Sequence, residues 1–193
     1  MMDSVNGLIA PVLAGAYDWS SCRLLVDVGG ARGNLAAQLV RAHPHLSACV
    51  FDLPVMAAPF AEHVASLVPP GQVRFVGGDF FVDPLPEGDV LILGHVLHNW
   101  SAEERQVLVK KAYEAVRPGG ALLVYDAMLD DGPTDLARIL VSLNMLLVTA
   151  GGAEYRASEC REWLAAVGFV DIEERPLTAG DTLVVGRKPA SAV

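Results

Sequence analysis

Four ionisable side chains stand at or near the ends of short apolar runs, and their types suit ligand binding and proton transfer. Asp27 lies in Leu24-Leu25-Val26-Asp27-Val28, and Asp52 follows Ala48-Cys49-Val50-Phe51. Asp79 comes after Val73 to Val76 by way of Gly77-Gly78, and His98 comes shortly after Val90 to Leu93. A carboxylate about twenty residues beyond a Gly-rich turn can accept hydrogen bonds from both hydroxyls of a ribose. Asp52 stands nineteen residues past Gly33. A carboxylate at the position of Asp79 can accept from an adenine amino group, with Phe80 packed on the ring; the plainer reading is a turn aspartate. Histidine titrates near neutrality and suits general-base work, although a lone histidine is more often structural. His95 and His98 are three apart, a spacing that suits metal ligation, but no third donor has convincing spacing, so no metal site is expected.

The turn Gly29-Gly30-Ala31-Arg32-Gly33 narrows the ligand. A dinucleotide site wants G-x-G-x-x-G, and no register supplies it; the phosphate loop G-x-x-x-x-G-K-[ST] is also missing. What remains is D-x-G-x-A-x-G over Asp27 to Gly33. This is similar to the D/E-x-G-x-G-x-G pattern of methyltransferases that use S-adenosylmethionine, a cofactor with no phosphate to wrap. Glycines let a ligand approach the backbone closely; the plainer reading is a turn that only joins a strand to a helix. Asp27 is expected either to bond the turn's own amides or to lie near the cationic end of the cofactor.

These residues need a sheet whose strand ends meet at one edge, and the chain reads that way. Expected strands are Leu24 to Val28, Ser47 to Phe51, Val73 to Val76, Val90 to Leu93, Ala121 to Tyr125, Val170 to Arg175 and Thr182 to Arg187. Expected helices cover Val5 to Tyr17, Leu35 to Val40, Val55 to Leu67, Ser101 to Val116, Asp135 to Thr149 and Ser158 to Val167. Ser101 and Glu104 form a capping-box pair, Arg117-Pro118-Gly119-Gly120 stops a helix, and Asp130-Asp131-Gly132-Pro133 reads as a turn. Alternating strands and helices predict an α/β fold with a doubly wound, mostly parallel sheet and right-handed crossovers. The last two strands are joined by a short loop and must be antiparallel.

The 193 residues suit one well-buried domain. A net charge of -9 argues against a nucleic-acid surface. The N-terminus lacks the basic start of a secretory signal, and the most apolar helix is too short to span a bilayer. Cys22, Cys49 and Cys160 read as buried thiols in a reducing compartment, so a cytoplasmic location and no membrane partner are expected. Asn99-Trp100-Ser101 matches a glycosylation sequon by chance.

Six blocks then occur in order: Val26-Asp27-Val28-Gly29-Gly30, Phe51-Asp52-Leu53-Pro54, Gly78-Asp79-Phe80-Phe81, Leu97-His98-Asn99-Trp100-Ser101, Arg117-Pro118-Gly119-Gly120 and Gly151-Gly152-Ala153-Glu154. With them the chain resembles, over nearly its whole length, the catalytic domain of the small-molecule O-methyltransferases of the caffeic acid and hydroxyindole type. The resemblance implies a seven-stranded Rossmann-like sheet with one antiparallel strand near its C-terminal end. It implies S-adenosylmethionine bound by Asp27, Gly29, Gly30, Gly33, Asp52, Leu53, Asp79 and Phe80. It implies His98 as the base that deprotonates an acceptor hydroxyl, with Asp126 and Glu154 holding that histidine. Trp100, Asn144 and Met145 are expected on the acceptor side, and the acceptor is a phenol or hydroxyl on a small aromatic or polyketide-like molecule. The alternatives are a related enzyme performing hydroxylation or decarboxylation, and a domain that binds cofactor or partner without turnover.

Three positions depart from the family pattern. Ala31 replaces the middle glycine, Asn99 replaces an aspartate, and Gly94 stands where many members carry lysine or another polar residue. The family also carries a helical N-terminal dimerisation domain, expected to be absent from a chain that is a single catalytic domain over 1–193. Without it an apolar face would be exposed, which points to a homodimer or a separate partner chain.

Overall fold

The computed structural model describes residues 2–129, 132 and 135–191. Its strands are β1 (Leu24–Val28), β2 (Ser47–Asp52), β3 (Val73–Gly77), β4 (Gly88–Gly94), β5 (Val116–Asp126), β6 (Val170–Pro176) and β7 (Thr182–Arg187). The helices are α1 (Met2–Ala16), α2 (Asn34–Ala42), α3 (Ala57–Val64), α4 (Ala102–Ala115), α5 (Leu136–Val148) and α6 (Ala157–Val167). The seven strands form one sheet in the order β3-β2-β1-β4-β5-β7-β6. Neighbours from β3 through β5 are parallel, and β7 pairs antiparallel with both β5 and β6. The expected fold class is the observed one.

Side chains alternate between the two faces of each strand. Leu25, Val50, Ile92 and Leu123 pack toward α1, α2 and α3, against Leu13, Leu39 and Phe60. Val26, Phe51, Leu91 and Val124 pack toward α4 and α6, against Leu108, Ala112, Cys160 and Leu164. Both faces are covered, which is why the strands read as near-continuous apolar runs. The three cysteines are buried free thiols. The strand order reverses between β1 and β4, and in such sheets the crevice beyond the strand carboxyl ends at that point takes the ligand.

Several boundaries differ from expectation. β5 begins at Val116, because Val116 pairs with Gly88 before the ladder resumes at Val90–Ala121. Arg117 to Gly120 therefore forms an excursion within the strand, anchored by an Arg117–Asp89 ion pair of 3.1 Å. The helix expected over Val55 to Leu67 is split into a 3₁₀ turn at Pro54–Met56 and a shorter α3. Pro59 lacks the amide that would tie it into the preceding turn. A second 3₁₀ turn, Leu97–Asn99, was not foreseen. The Ser101–Glu104 capping box forms in both directions, at 3.3 and 2.9 Å. Of the expected turn at 130–133, only Gly132 lies among the described residues.

α5 stands apart from the core. Asp135 caps it by accepting from the Ala137 amide at 2.9 Å, yet none of its residues is buried. Leu136, Leu140, Leu143, Leu146, Leu147 and Val148 are all exposed.

Candidate active site

The Gly-rich turn leaves β1 with Gly29 and Gly33 at φ of 73° and 77°, in the left-handed region. A Cβ on Gly30 would lie 2.5 Å from a carboxylate oxygen of Asp27, and one on Gly33 would lie 2.8 Å from the Phe60 ring. These glycines are thus required by packing beneath the turn as well as by any approach of a ligand above it. Ala31 adopts φ of 49°, a conformation an L side chain enters at a cost. Asp27 sits under the turn, almost fully buried, with one carboxylate oxygen unpaired. Burial pushes its carboxyl up to about 7, and the nearby Asp52 charge adds to the shift.

Asp52 ties this turn to β2. Its Oδ2 accepts from the Ala31 amide at 2.8 Å, and its Oδ1 accepts from the Leu53 amide at 2.7 Å. Asp79 accepts from the Phe81 amide at 2.9 Å. Asp52, Leu53, Asp79, Phe80, Phe81 and Trp100 line a cavity of about 120 Å³. Ligand pockets run to roughly 300–1,000 Å³, so this cavity suits one flat end of a larger molecule. The remainder would lie along the open edge past Gly29. These residues fit an adenosine group: a carboxylate for the ribose, a second for the amino group, and aromatic walls.

Across the sheet edge, His98 Nδ1 lies 2.6 Å from Glu154 Oε1. A carboxylate only accepts, so Nδ1 carries the proton and Nε2 keeps a lone pair. Asp126, fully buried at the end of β5, places Oδ1 3.4 Å from the same Nδ1 and accepts from the Tyr155 hydroxyl at 2.5 Å. Burial lowers the His98 pKa, but the Asp126 and Glu154 carboxylates outweigh it and the net shift is upward. Burial, with Glu154 adding, pushes Asp126 up to about 7 against the opposing pull of His98.

Arg105 locks the two loops that carry this pair. Its Nε donates to the Leu97 carbonyl at 3.0 Å, its other arm donates to the Ala153 carbonyl at 2.5 Å, and it lies over the Tyr155 ring. Gly152 allows the loops to meet, since a Cβ there would come within 2.4 Å of the His98 carbonyl oxygen. Gly152 stands in one of the six blocks, without this packing role, and Arg105 was not singled out from sequence. Arg105 had a legible signal: it shares the helical phase of Leu108, Val109 and Ala112, the buried stripe of α4.

Residues 1–170 match the family model of the O-methyltransferase domain. The chain belongs to this family. It is 52% identical over 189 residues to the tetracenomycin polyketide synthesis 8-O-methyl transferase TcmO of Streptomyces glaucescens, covering 97% of this chain and 56% of that protein. It is 40% identical to the N,N-dimethyltransferase OxyT of Streptomyces rimosus, over 97% of this chain and 55% of the relative. Among solved structures, human N-acetylserotonin methyltransferase in complex with SAM superposes with a TM-score of 0.89 at 32% identity, covering 98% of this chain and 54% of that one. The chain spans about half the length of the relatives it matches.

In this O-methyltransferase domain the expected residues form two groups. Asp27, Gly29, Gly30, Gly33, Asp52, Leu53, Asp79 and Phe80 gather around the β1–β2–β3 edge, and His98, Asp126 and Glu154 gather beyond β4 and β5. Trp100, expected on the acceptor side, walls the Asp52–Asp79 cavity, with its ring 5.6 Å from Phe80 and 4.7 Å from Phe81. Asn144 is exposed and Met145 half-buried on α5. The glycine at position 94 has a packing cause: a Cβ there would run into the Tyr125 ring at 2.1 Å. Asn99 caps its own 3₁₀ turn, donating to the His95 carbonyl at 3.0 Å.

Proposed function

We propose that this O-methyltransferase domain transfers a methyl group from S-adenosylmethionine to a hydroxyl, of phenolic character, on a small aromatic or polyketide-like molecule. The observation that carries the role of His98 is the 2.6 Å Nδ1–Glu154 contact, which leaves Nε2 free to take a proton. The cofactor supplies a methyl group already activated on a sulfonium. The chain supplies the rest. Asp52 would hold the ribose, Asp79 and Phe80 would hold the adenine, and the Gly29–Gly33 turn would admit the ligand close to its backbone. His98 Nε2 accepts the acceptor's hydroxyl proton, and Glu154 and Asp126 stabilise the imidazolium that results.

The reading is tested by His98→Ala. Turnover on a phenol should fall by about 10² to 10⁴ while affinity for S-adenosylhomocysteine stays within a few-fold. Full activity in the variant would make His98 a structural residue. Transfer to an amine nitrogen is a second reading, favoured by the 40% identity to an N,N-dimethyltransferase. An amine attacks as its free base, so that reading expects His98→Ala to keep most of its activity on amines.

The exposed apolar face of α5 supports an acceptor pocket completed by a further packing surface, either a second copy or a separate chain. Among the described residues no helix is long and apolar enough to cross a membrane. We read the protein as cytoplasmic.

A further inference from the structure

We propose that His95, His98 and Asp126 bind a divalent transition cation of the Zn²⁺ class. His95 follows β4 in the left-handed conformation, at φ of 53°, and His98 lies on the 3₁₀ turn after it. Asp126 closes β5, so the fold supplies the third donor that sequence spacing hid. One ligand atom from each of the three lies within 4.8 Å of the others. Asp126 Oδ1 sits between the imidazoles, 3.4 Å from His98 Nδ1 and 3.7 Å from His95 Nδ1. Zinc–nitrogen and zinc–oxygen bonds of about 2.0–2.2 Å in a tetrahedron separate the donors by roughly 3.3–3.5 Å. The two measured edges need little adjustment to meet that figure.

The surroundings favour a cation. Asp126 Oδ1 and Glu154 Oε2 are buried without a hydrogen-bond partner. Three carboxylates, Asp126, Glu154 and Asp181, converge on the two rings, with Arg105 as the cation nearby. The outer partners that orient metal ligands are also present. His95 Nε2 faces Asp181 Oδ1 at 3.3 Å, which leaves Nδ1 toward the site, and the Tyr155 hydroxyl holds the second oxygen of Asp126. Two imidazoles and carboxylate oxygens select zinc, cobalt or nickel over calcium or magnesium.

Occupancy would change the tautomer of His98. A cation on Nδ1 needs the lone pair there, so the ring's proton moves through solvent to Nε2 and the Nδ1–Glu154 hydrogen bond is given up. Nε2 is then a donor and no longer a base. This consequence for turnover rests on the base role proposed above; the binding itself does not.

Binding is tested on the chain without cofactor or acceptor, by Co²⁺ absorption and by calorimetry with Zn²⁺. One equivalent should bind with a Kd of about 10 µM or tighter and show the visible bands of tetrahedral cobalt. His95→Asn, a residue that tolerates the left-handed backbone, should weaken binding at least about tenfold. His45→Ala, at a surface histidine, should leave it unchanged. No stoichiometric binding below about 1 mM, or equal affinity in a folded His95→Asn chain, would overturn the site. Stoichiometric Zn²⁺ that leaves methyl transfer intact would uphold the site and sink the base role of His98.

Discussion

Asp27 sits in an environment far from what its type suggests. Its carboxyl, at about 7 in the folded chain, returns to roughly 3.9 on unfolding. The folded state therefore binds the proton more tightly. Asp27 imposes no penalty below about pH 4, and one that grows from there to about pH 7 and then levels off, at a few kcal/mol. Asp27→Asn should flatten the pH dependence of stability over that window. Urea melts at pH 4 and pH 8 should show the variant gaining on wild type only at the higher pH; an equal difference at both would contradict the buried, proton-binding carboxyl. Ala31 offers a second test on the same turn. Its left-handed backbone costs about 1–2 kcal/mol, while glycine adds roughly 0.4–1 kcal/mol of unfolded-state entropy. Ala31→Gly should raise stability by up to about 1 kcal/mol, and a clear loss would mean that the alanine methyl packs productively.

At the scale of elements, the decisive contact is between the loop after β4 and the loop after α5. A Cβ on Gly152 would run into the His98 carbonyl, the Gly152 amide donates to the Thr149 hydroxyl, and Arg105 fastens the neighbouring carbonyls of Leu97 and Ala153. Gly152→Ala must push the loops apart, and with them Glu154 from His98. Overpacking of this kind costs roughly 1–3 kcal/mol. Thermal melts should register that loss and steady-state assays a fall in kcat larger than any change in KM. A variant with wild-type kcat would show that the loop spacing does not govern the dyad.

At the scale of the whole molecule, α5 presents leucines at 136, 140, 143 and 147 along one stripe, all exposed. A contiguous apolar surface of this kind is rarely left in water. The chain should sediment above its monomer mass at micromolar concentration, and Leu140→Glu with Leu147→Glu should return it to a monomer without lowering its melting temperature. A monomeric wild type would remove self-association.

The sequence alone determined the layering, because period and punctuation are local properties. The buried strands read as apolar runs, and Ser101 and Glu104 announce a helix start three residues apart. What it could not convey depends on residues far apart in the chain. Glu154 meets His98 across 56 positions, and Asp126 meets Tyr155 across 29. Arg105 joins two loops that only the packing of α4 brings together. Trp100 turns its ring onto Phe80 and Phe81, a placement that chain proximity to His98 could not convey. The third donor beside His95 and His98 escaped spacing rules for the same reason: Asp126 arrives from the adjacent strand, and hydrogen-bonded pairing of β4 with β5 decides that it lies there.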